Sequence, residues 1–367
     1  MAPRSTVTAD ANIQAAIAHW APRFVAQGVD YNDFVRTTAL LQQWEEWLEA
    51  WCRTAATHVA LAREAEDRAR PITAGEAYVR AALCFHFANF LWFVDLDRHR
   101  AAAEEAVASL YAAHRLLDPS AQRIEASLEG ARMVANLRRP AGGGRPPLVL
   151  LLPGLDSTKE EFFHWEQVFL ARGMATLSLD GPGQGETGYT TTIRPDYEVA
   201  VTAVLDALAG RDDIDLRRVG AVGVSLGGYY AIRAAAFEPR IAAAVAISGP
   251  YNFGECWPSL PELTREAFRH HCGAQRAEEA RVRASDLDLA PVLPHLRSPL
   301  LVIAGRQDRL IPPVQAERTA AEAPDAELVM YPEGNHVCNN IPYKYRPLAA
   351  DWIGEQLRAP RTGPRTS

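Results

Sequence analysis

Apolar residues recur with two different rhythms along the chain. From about Thr8 to Leu117 they return at helical intervals among alanine, glutamate and arginine, with breaks at stretches such as "RARPITAGEAY". The spacing predicts helices over Asp33–Ala69, Ala74–Val94 and Arg98–Leu116, and this half reads as packed helices. After "LLDPSAQR" the pattern shortens: "RIEASLEGARMVANLRRP" reads as two extended segments around a Glu129-Gly130 turn. "AGGGRPP" at Ala141–Pro147 is a turn-like connection. From Leu148 onward the short apolar runs "LVLLLPG", "ATLSLDG", "VGAVGVS", "IAAAVAISG", "PLLVIAG" and "AELVMY" alternate with helical sequence. That alternation specifies an α/β fold with a mainly parallel sheet covered by helices, and functional residues are expected beyond the carboxyl ends of its strands. The expected organisation is a helical cap over residues 1–120 and a catalytic domain over 121–367, with a small lid or connecting helices at 251–296.

Candidate chemistry centres on "AVGVSLGGYY". Gly223, Ser225 and Gly227 match GxSxG, a weak pattern alone, but an apolar run precedes it and helix-compatible sequence follows. In that setting the glycines relieve the crowding of a strand that turns sharply into a helix, with the serine held toward a pocket. A serine hydroxyl needs a base, and the base needs a carboxylate to fix its tautomer. Asp308 in "LLVIAGRQDRLIPP" and His336 in "AELVMYPEGNHVCNN" each follow a predicted strand, in the chain order Ser, Asp, His. The structural alternatives are a solvated loop acid or helix cap for Asp308 and a packed loop histidine for His336. Backbone amides of Leu226 and Leu155 are the expected donors to an oxyanion.

Asp156 has two readings: a cap on the helix that follows, or a pocket carboxylate positioning substrate. The second requires its charge to be partnered or aimed away from a developing oxyanion. His86 lies in the aromatic run "CFHFANFLWF" and reads as a hydrogen-bonded core or cap-lining imidazole. His270 and His271, adjacent on a predicted helix, are not expected to face one pocket, and His295 precedes a strand at the wrong end of the sheet. "SLDGPGQGETG" lacks the GK[ST] part of a phosphate loop and reads as close packing along the site edge.

Composition removes several function classes. A net charge of -7, with no basic run interleaved with aromatics, argues against a nucleic-acid partner. "PLVLLLPGL" is too short to span a bilayer, and polar residues interrupt the first twenty positions, so a cytoplasmic protein is expected. Five scattered cysteines suggest neither a disulfide framework nor a zinc site, and no cofactor is expected.

Together "LLPGLDSTKEE", "LDGPGQGE", "GVSLGG", "AGRQDRLIPP" and "GNHVC" resemble the α/β-hydrolase family that includes 2,6-dihydropseudooxynicotine hydrolase and FrsA-like proteins. The likeness extends into the helical half at "ITAGEAYVRAALCFHFANFLW". It implies an α/β-hydrolase core under a large N-terminal helical cap, a possible homodimer, and hydrolysis of a carbon-carbon bond beside a ketone through an acyl-enzyme. The resemblance puts the nucleophile on Ser225, the acid on Asp308 and the base on His336, with Asp156 where the family enzyme carries a glutamate. The implied substrate is a moderately bulky small-molecule carbonyl compound. Ester hydrolysis, acyloxy elimination from a polyketide or other specialised metabolite, and an FrsA-like binding or regulatory role are the alternatives.

Overall fold

The computed structural model describes residues 10–358; the ends of the expected 1–120 and 121–367 segments lie outside the described residues. Five helices come first: α1 Ala11–Gln27, α2 Tyr31–Thr38, α3 Trp47–Asp67, α4 Pro71–Asn89 and α5 Leu96–Leu117. The hairpin β1 Gln122–Leu128 and β2 Ala131–Arg138 follows, then β3 Pro147–Leu152, α6 Phe163–Leu170 and β4 Ala175–Asp180. The short helix α7 Gly185–Gly188 precedes α8 Glu198–Ala207, β5 Asp215–Val224, α9 Leu226–Phe237 and β6 Ile241–Ile247. The segment after β6 holds α10 Phe253–Cys256, α11 Glu262–His271 and α12 Ala277–Ser285. The chain then closes with β7 Leu300–Gly305, α13 Pro313–Glu322, β8 Ala326–Tyr331 and α14 Pro342–Arg358.

The eight strands form one sheet in the order β1-β2-β4-β3-β5-β6-β7-β8. β1 pairs antiparallel with β2, and β2 with β4; the pairings from β4 to β8 are parallel. Each apolar run recognised in the sequence is one of these strands; the central β3, β6 and β7 are largely buried on both faces and apolar throughout, while β8 at the edge is only partly buried. Side-chain alternation then sorts the residues: Leu148, Leu150 and Leu152 of β3 join one apolar core, Val149 and Leu151 the other. The first core runs without interruption from the sheet into the helical cap, including Trp20, Phe24, Trp47 and Trp51. The cap therefore shares its core with the sheet.

Two helix boundaries differ from the periodicity. The helix expected over Asp33–Ala69 is broken after Thr38, and α3 begins at Trp47. The Glu46 carboxylate accepts the amides of Gln42 and Gln43 and the Asp10 carboxylate accepts that of Trp44, so these side chains supply partners that a continuous helix would have drawn from its own carbonyls. The helix expected over Ala74–Val94 starts earlier, at Pro71, whose missing N–H costs nothing in a first turn, and stops at Asn89 before Leu91 at φ +55°.

Where β5 enters α9, Ser225 sits at φ +54°, ψ -127°, a conformation a non-glycine residue adopts only when its surroundings enforce it. The Ser225 amide donates to the Ile247 carbonyl and the Gly228 amide to that of Ser225, both at 2.8 Å, and the flanking glycines make room for the turn. A Cβ on Gly223 would fall 1.8 Å from the Gly227 carbonyl oxygen, and one on Gly227 would fall 2.1 Å from that of Leu152. Both obstacles are backbone, so no rotamer change relieves them. Gly227→Ala is expected to cost about 3 kcal/mol or more of stability by urea denaturation; an unchanged midpoint would show that the elbow tolerates the displacement.

Candidate active site

β7 delivers Asp308 and β8 delivers His336 to the same edge of the sheet at which β5 presents Ser225. His336 Nδ1 donates to Asp308 Oδ2 at 2.8 Å, and His336 Nε2 accepts from the Ser225 hydroxyl at 2.9 Å. The carboxylate, which can only accept, fixes that tautomer. Asp308 is buried, and its second oxygen accepts the amides of Leu310 and Ile311, both at 2.9 Å, which fixes its own orientation. The arrangement can abstract a proton from Ser225 and return it to a leaving group.

Leu226 opens α9, so its amide has no acceptor within the helix. The chain carrying Leu155 passes close beside the elbow: a Cβ on Gly154 would sit 3.0 Å from Ser225 Cβ and 3.5 Å from its Oγ. Gln184, from the glycine-rich turn after β4, pins that passage by donating Nε2 to the carbonyls of Pro153 and Gly154. The turn thus packs along the site edge as its sequence suggested.

Asp156 caps no helix. Thr158 is the residue at the start of the next helical turn, and Asp156 Oδ1 instead accepts from Arg23 Nη1 at 2.7 Å. Arg23, in α1, also donates its Nε and Nη2 to the two oxygens of Glu161, each at 2.6 Å. Burial would by itself weaken the guanidinium's charge; the two carboxylates overcome it and hold Arg23 above its ordinary value. Burial likewise opposes ionisation of Glu161, but Arg23 brings its carboxyl well below the usual range. Ser157 donates to Glu161, and the buried ring of His86 bridges Thr158 at 3.2 Å and Glu161 at 3.3 Å. His86 is thereby the hydrogen-bonded, cap-lining imidazole expected from its aromatic helix.

Two cavities adjoin this segment. One is lined by Ser225 and His336 together with Trp20, Arg23, Phe253 and Thr264. The other, somewhat larger, lies under α4 and α5 and shares Leu155, Asp156 and Ser157 with the first as lining. The 251–296 segment contributes wall to each. His270 and His271 both line the second cavity, against the expectation that adjacent helix residues cannot share a pocket. They close α11, and Phe93 contacts both rings, with centroids 4.5 and 5.4 Å away, because the cavity wraps around the helix end. His295, in a turn before β7, packs on Phe237 instead.

Beside the second cavity, Lys159 Nζ lies 2.6–2.8 Å from Glu160, Asp180 and Glu186. These carboxylates could share a cation by their spacing, but the lysine ammonium already occupies their centre. Among the described residues, no helix is long and apolar enough to cross a membrane.

A family profile described as esterase FrsA-like matches residues 26–255, well over half of the chain. The chain belongs to the FrsA-like family. A profile of the prolyl oligopeptidase family also matches residues 161–359 of this FrsA-like protein. It is 34% identical over 359 residues, 96% of each chain, to 2,6-dihydropseudooxynicotine hydrolase of Paenarthrobacter nicotinovorans. A crystal structure of 2,6-dihydroxy-pseudo-oxynicotine hydrolase superposes with a TM-score of 0.85 at 34% identity, covering 92% of this chain and 95% of that one. It is also 34% identical to 20-hydroxy-prefusarin hydrolase of Gibberella moniliformis, over 62% of this chain and 58% of that protein. The expected α/β-hydrolase core and helical cap are the fold of this family.

Sequence reasoning on the FrsA-like chain missed Arg23 and Glu161, which lie 138 positions apart and meet only in the fold. No local motif marks either residue. Removing the cation as Arg23→Met leaves Glu161 buried without its partner, an expected loss of about 3–5 kcal/mol in denaturant unfolding; a loss below about 1 kcal/mol would mean that the clamp is dispensable. Burial opposes ionisation of Glu186, yet the hydrogen bond from Arg123 and the Lys159 ammonium hold it down to about 2, below its ordinary 4.5. Its stabilising contribution is therefore full above about pH 4.5 and lost as pH falls toward 2. Acid titration of stability by circular dichroism should show a shallower loss over that window in Glu186→Gln than in the unaltered protein.

Proposed function

We propose that this FrsA-like protein is a serine hydrolase that cleaves a carbon-carbon bond beside a ketone in a moderately bulky carbonyl compound. The observation that carries the reading is the continuous hydrogen-bonded path from Ser225 through His336 to Asp308, opening on a cavity roofed by the cap. The family membership and the near full-length similarity to 2,6-dihydropseudooxynicotine hydrolase support the choice of bond.

In this reading Ser225 attacks the carbonyl carbon as His336 takes its proton and Asp308 stabilises the imidazolium. The amides of Leu155 and Leu226 receive the oxyanion, each such donor being worth about 2.7–4 kcal/mol to the transition state. Collapse breaks the bond to the neighbouring carbon, whose electron pair is held as an enolate and takes the proton from His336. Water then attacks the acyl-enzyme with His336 as base, releasing the carboxylic acid and restoring Ser225. Asp156 would oppose the oxyanion if its charge were free. Its ion pair with Arg23 draws one oxygen toward the guanidinium, which weakens that objection, and leaves the other oxygen to position a substrate hydroxyl or amine.

Ester hydrolysis is the second reading, favoured by the family's esterase description, and differs only in expelling an alkoxide. Reaction in ¹⁸O water with exchange controls should place solvent oxygen in the acid product of a diketone; with an acyloxy-bearing substrate, release of the acid without label would point to elimination instead. Ser225→Ala should abolish labelling by an active-site-directed phosphonate. Asp308→Asn should lower kcat by roughly 10⁴, as expected when the base is held in the wrong tautomer. Undiminished turnover in either variant would remove the covalent mechanism.

A further inference from the structure

Several polar side chains on the wall of the cavity that holds Ser225 and His336 are spent on the protein itself: Arg23 on Asp156 and Glu161, Ser157 on Glu161, and the Gln27 side-chain oxygen on Arg346. Two others are not. Thr264, in the first turn of α11, and Asn339, three residues past His336, line the same cavity at 6% exposure each. Thr264 Oγ1 and Asn339 Oδ1 have no hydrogen-bond partner among the described residues.

The Asn339 amide does not exchange its two ends freely. Its Nδ2 donates to the His336 carbonyl at 3.2 Å, and a carbonyl can only accept, so Oδ1 is the end left over. The Asn339 backbone amide donates to the same carbonyl at 3.3 Å, which ties this acceptor to the residue carrying the base. A helical threonine commonly returns its hydroxyl to the carbonyl one turn back, but here the Leu260 carbonyl accepts from Arg265 Nε at 2.9 Å instead. Buried polar atoms are almost always paired. With Trp20, Phe253, Leu260 and Ile311 as apolar neighbours on the wall, these two find partners in whatever the cavity holds.

Charge and hydrogen-bonding capacity narrow the ligand. Asp156 and Glu161 share a single cation, Arg23, so an anionic group would meet an excess of carboxylate. A hydroxyl has no charge to desolvate, can donate to Asn339 Oδ1 and can accept from Thr264 Oγ1. We propose that Thr264 and Asn339 are specificity-determining residues of the triad cavity, selecting a hydroxyl-bearing substituent on the carbonyl that Ser225 attacks. The proposal rests on the hydrolase reading above for the attack by Ser225, but the recognition is read by binding, without turnover.

The probes are 4-hydroxypentan-2-one and 4-methylpentan-2-one, two ketones of one shape in which a hydroxyl replaces a methyl, titrated by ligand-observed NMR. A merely apolar pocket favours the methyl ketone, because a hydroxyl buried without a partner is unfavourable. The unaltered protein should instead bind the hydroxyketone at least about fivefold more tightly, the net worth of about one hydrogen bond. Both ketones should slow phosphonate labelling of Ser225, as occupants of its cavity. Thr264→Val, which keeps the shape and deletes the hydroxyl, and Asn339→Leu should each cut the preference at least about threefold, whereas Thr264→Ser should keep it. Stability separates recognition from a structural role: Thr264→Val deletes an atom that bonds nothing in the fold, so the urea midpoint of the ligand-free protein should hold or rise.

A methyl ketone bound as tightly as the hydroxyketone, binding that leaves labelling at its full rate, a preference that survives either substitution, or a lowered midpoint in Thr264→Val would overturn the assignment. If Ser225 takes no phosphonate while the preference and its loss in Thr264→Val both hold, the hydrolase reading fails and the recognition site stands.

Discussion

The buried guanidinium of Arg23 is the contact on which the rest of the site depends. It belongs to the first helix of the cap, and both of its carboxylate partners, Asp156 and Glu161, belong to the loop and turn that follow β3. Ions taken out of water are tolerated only when each finds its counter-charge in good geometry, and here one planar cation meets three carboxylate oxygens at 2.6–2.7 Å. The pairing fixes the cap to the core at one point, and that point is the segment carrying the Leu155 amide. The position of the cap relative to that segment is thereby set by this pairing together with the shared apolar core.

The same pairing explains how a carboxylate can stand beside a site that must stabilise negative charge. Asp156 is paired from the cap side, while Ser157 donates to Glu161 below it and His86 Nε2 lies 3.3 Å from the same carboxylate. A few residues on, Lys159 performs the equivalent service for Glu160, Asp180 and Glu186. The loop after β3 is thus dense in charge, with each carboxylate in contact with a cation although the carboxylates outnumber the cations.

Strain at Ser225 and continuity of the core are connected. Ser225 is held at positive φ by backbone contacts through Gly223 and Gly227, which work only if β3, β5 and α9 are rigidly packed. The apolar core that supplies this rigidity continues into the cap through Trp20, Phe24 and Trp47, so the cap is more than a cover laid over a finished domain. A shared core also keeps the cavity walls from α1, α4 and α5 in fixed register with the strand ends.

The sequence by itself determined the strands, their parallel character, the elbow and the order of Ser225, Asp308 and His336, since each depends on local periodicity or on the position of a loop after a strand. The lines of the helical half were legible too, but the break after Thr38 was not, because the carboxylates of Asp10 and Glu46 compete for amides in a way that apolar spacing does not encode. Only the tertiary structure decided what Asp156 does. Locally it is as good a cap as a pocket carboxylate, and the choice was made by an arginine 133 positions away. The joint presence of His270 and His271 in one cavity has the same origin: helical geometry separates adjacent side chains, but a cavity that curves around a helix end gathers them, and curvature is a property of the packed chain alone.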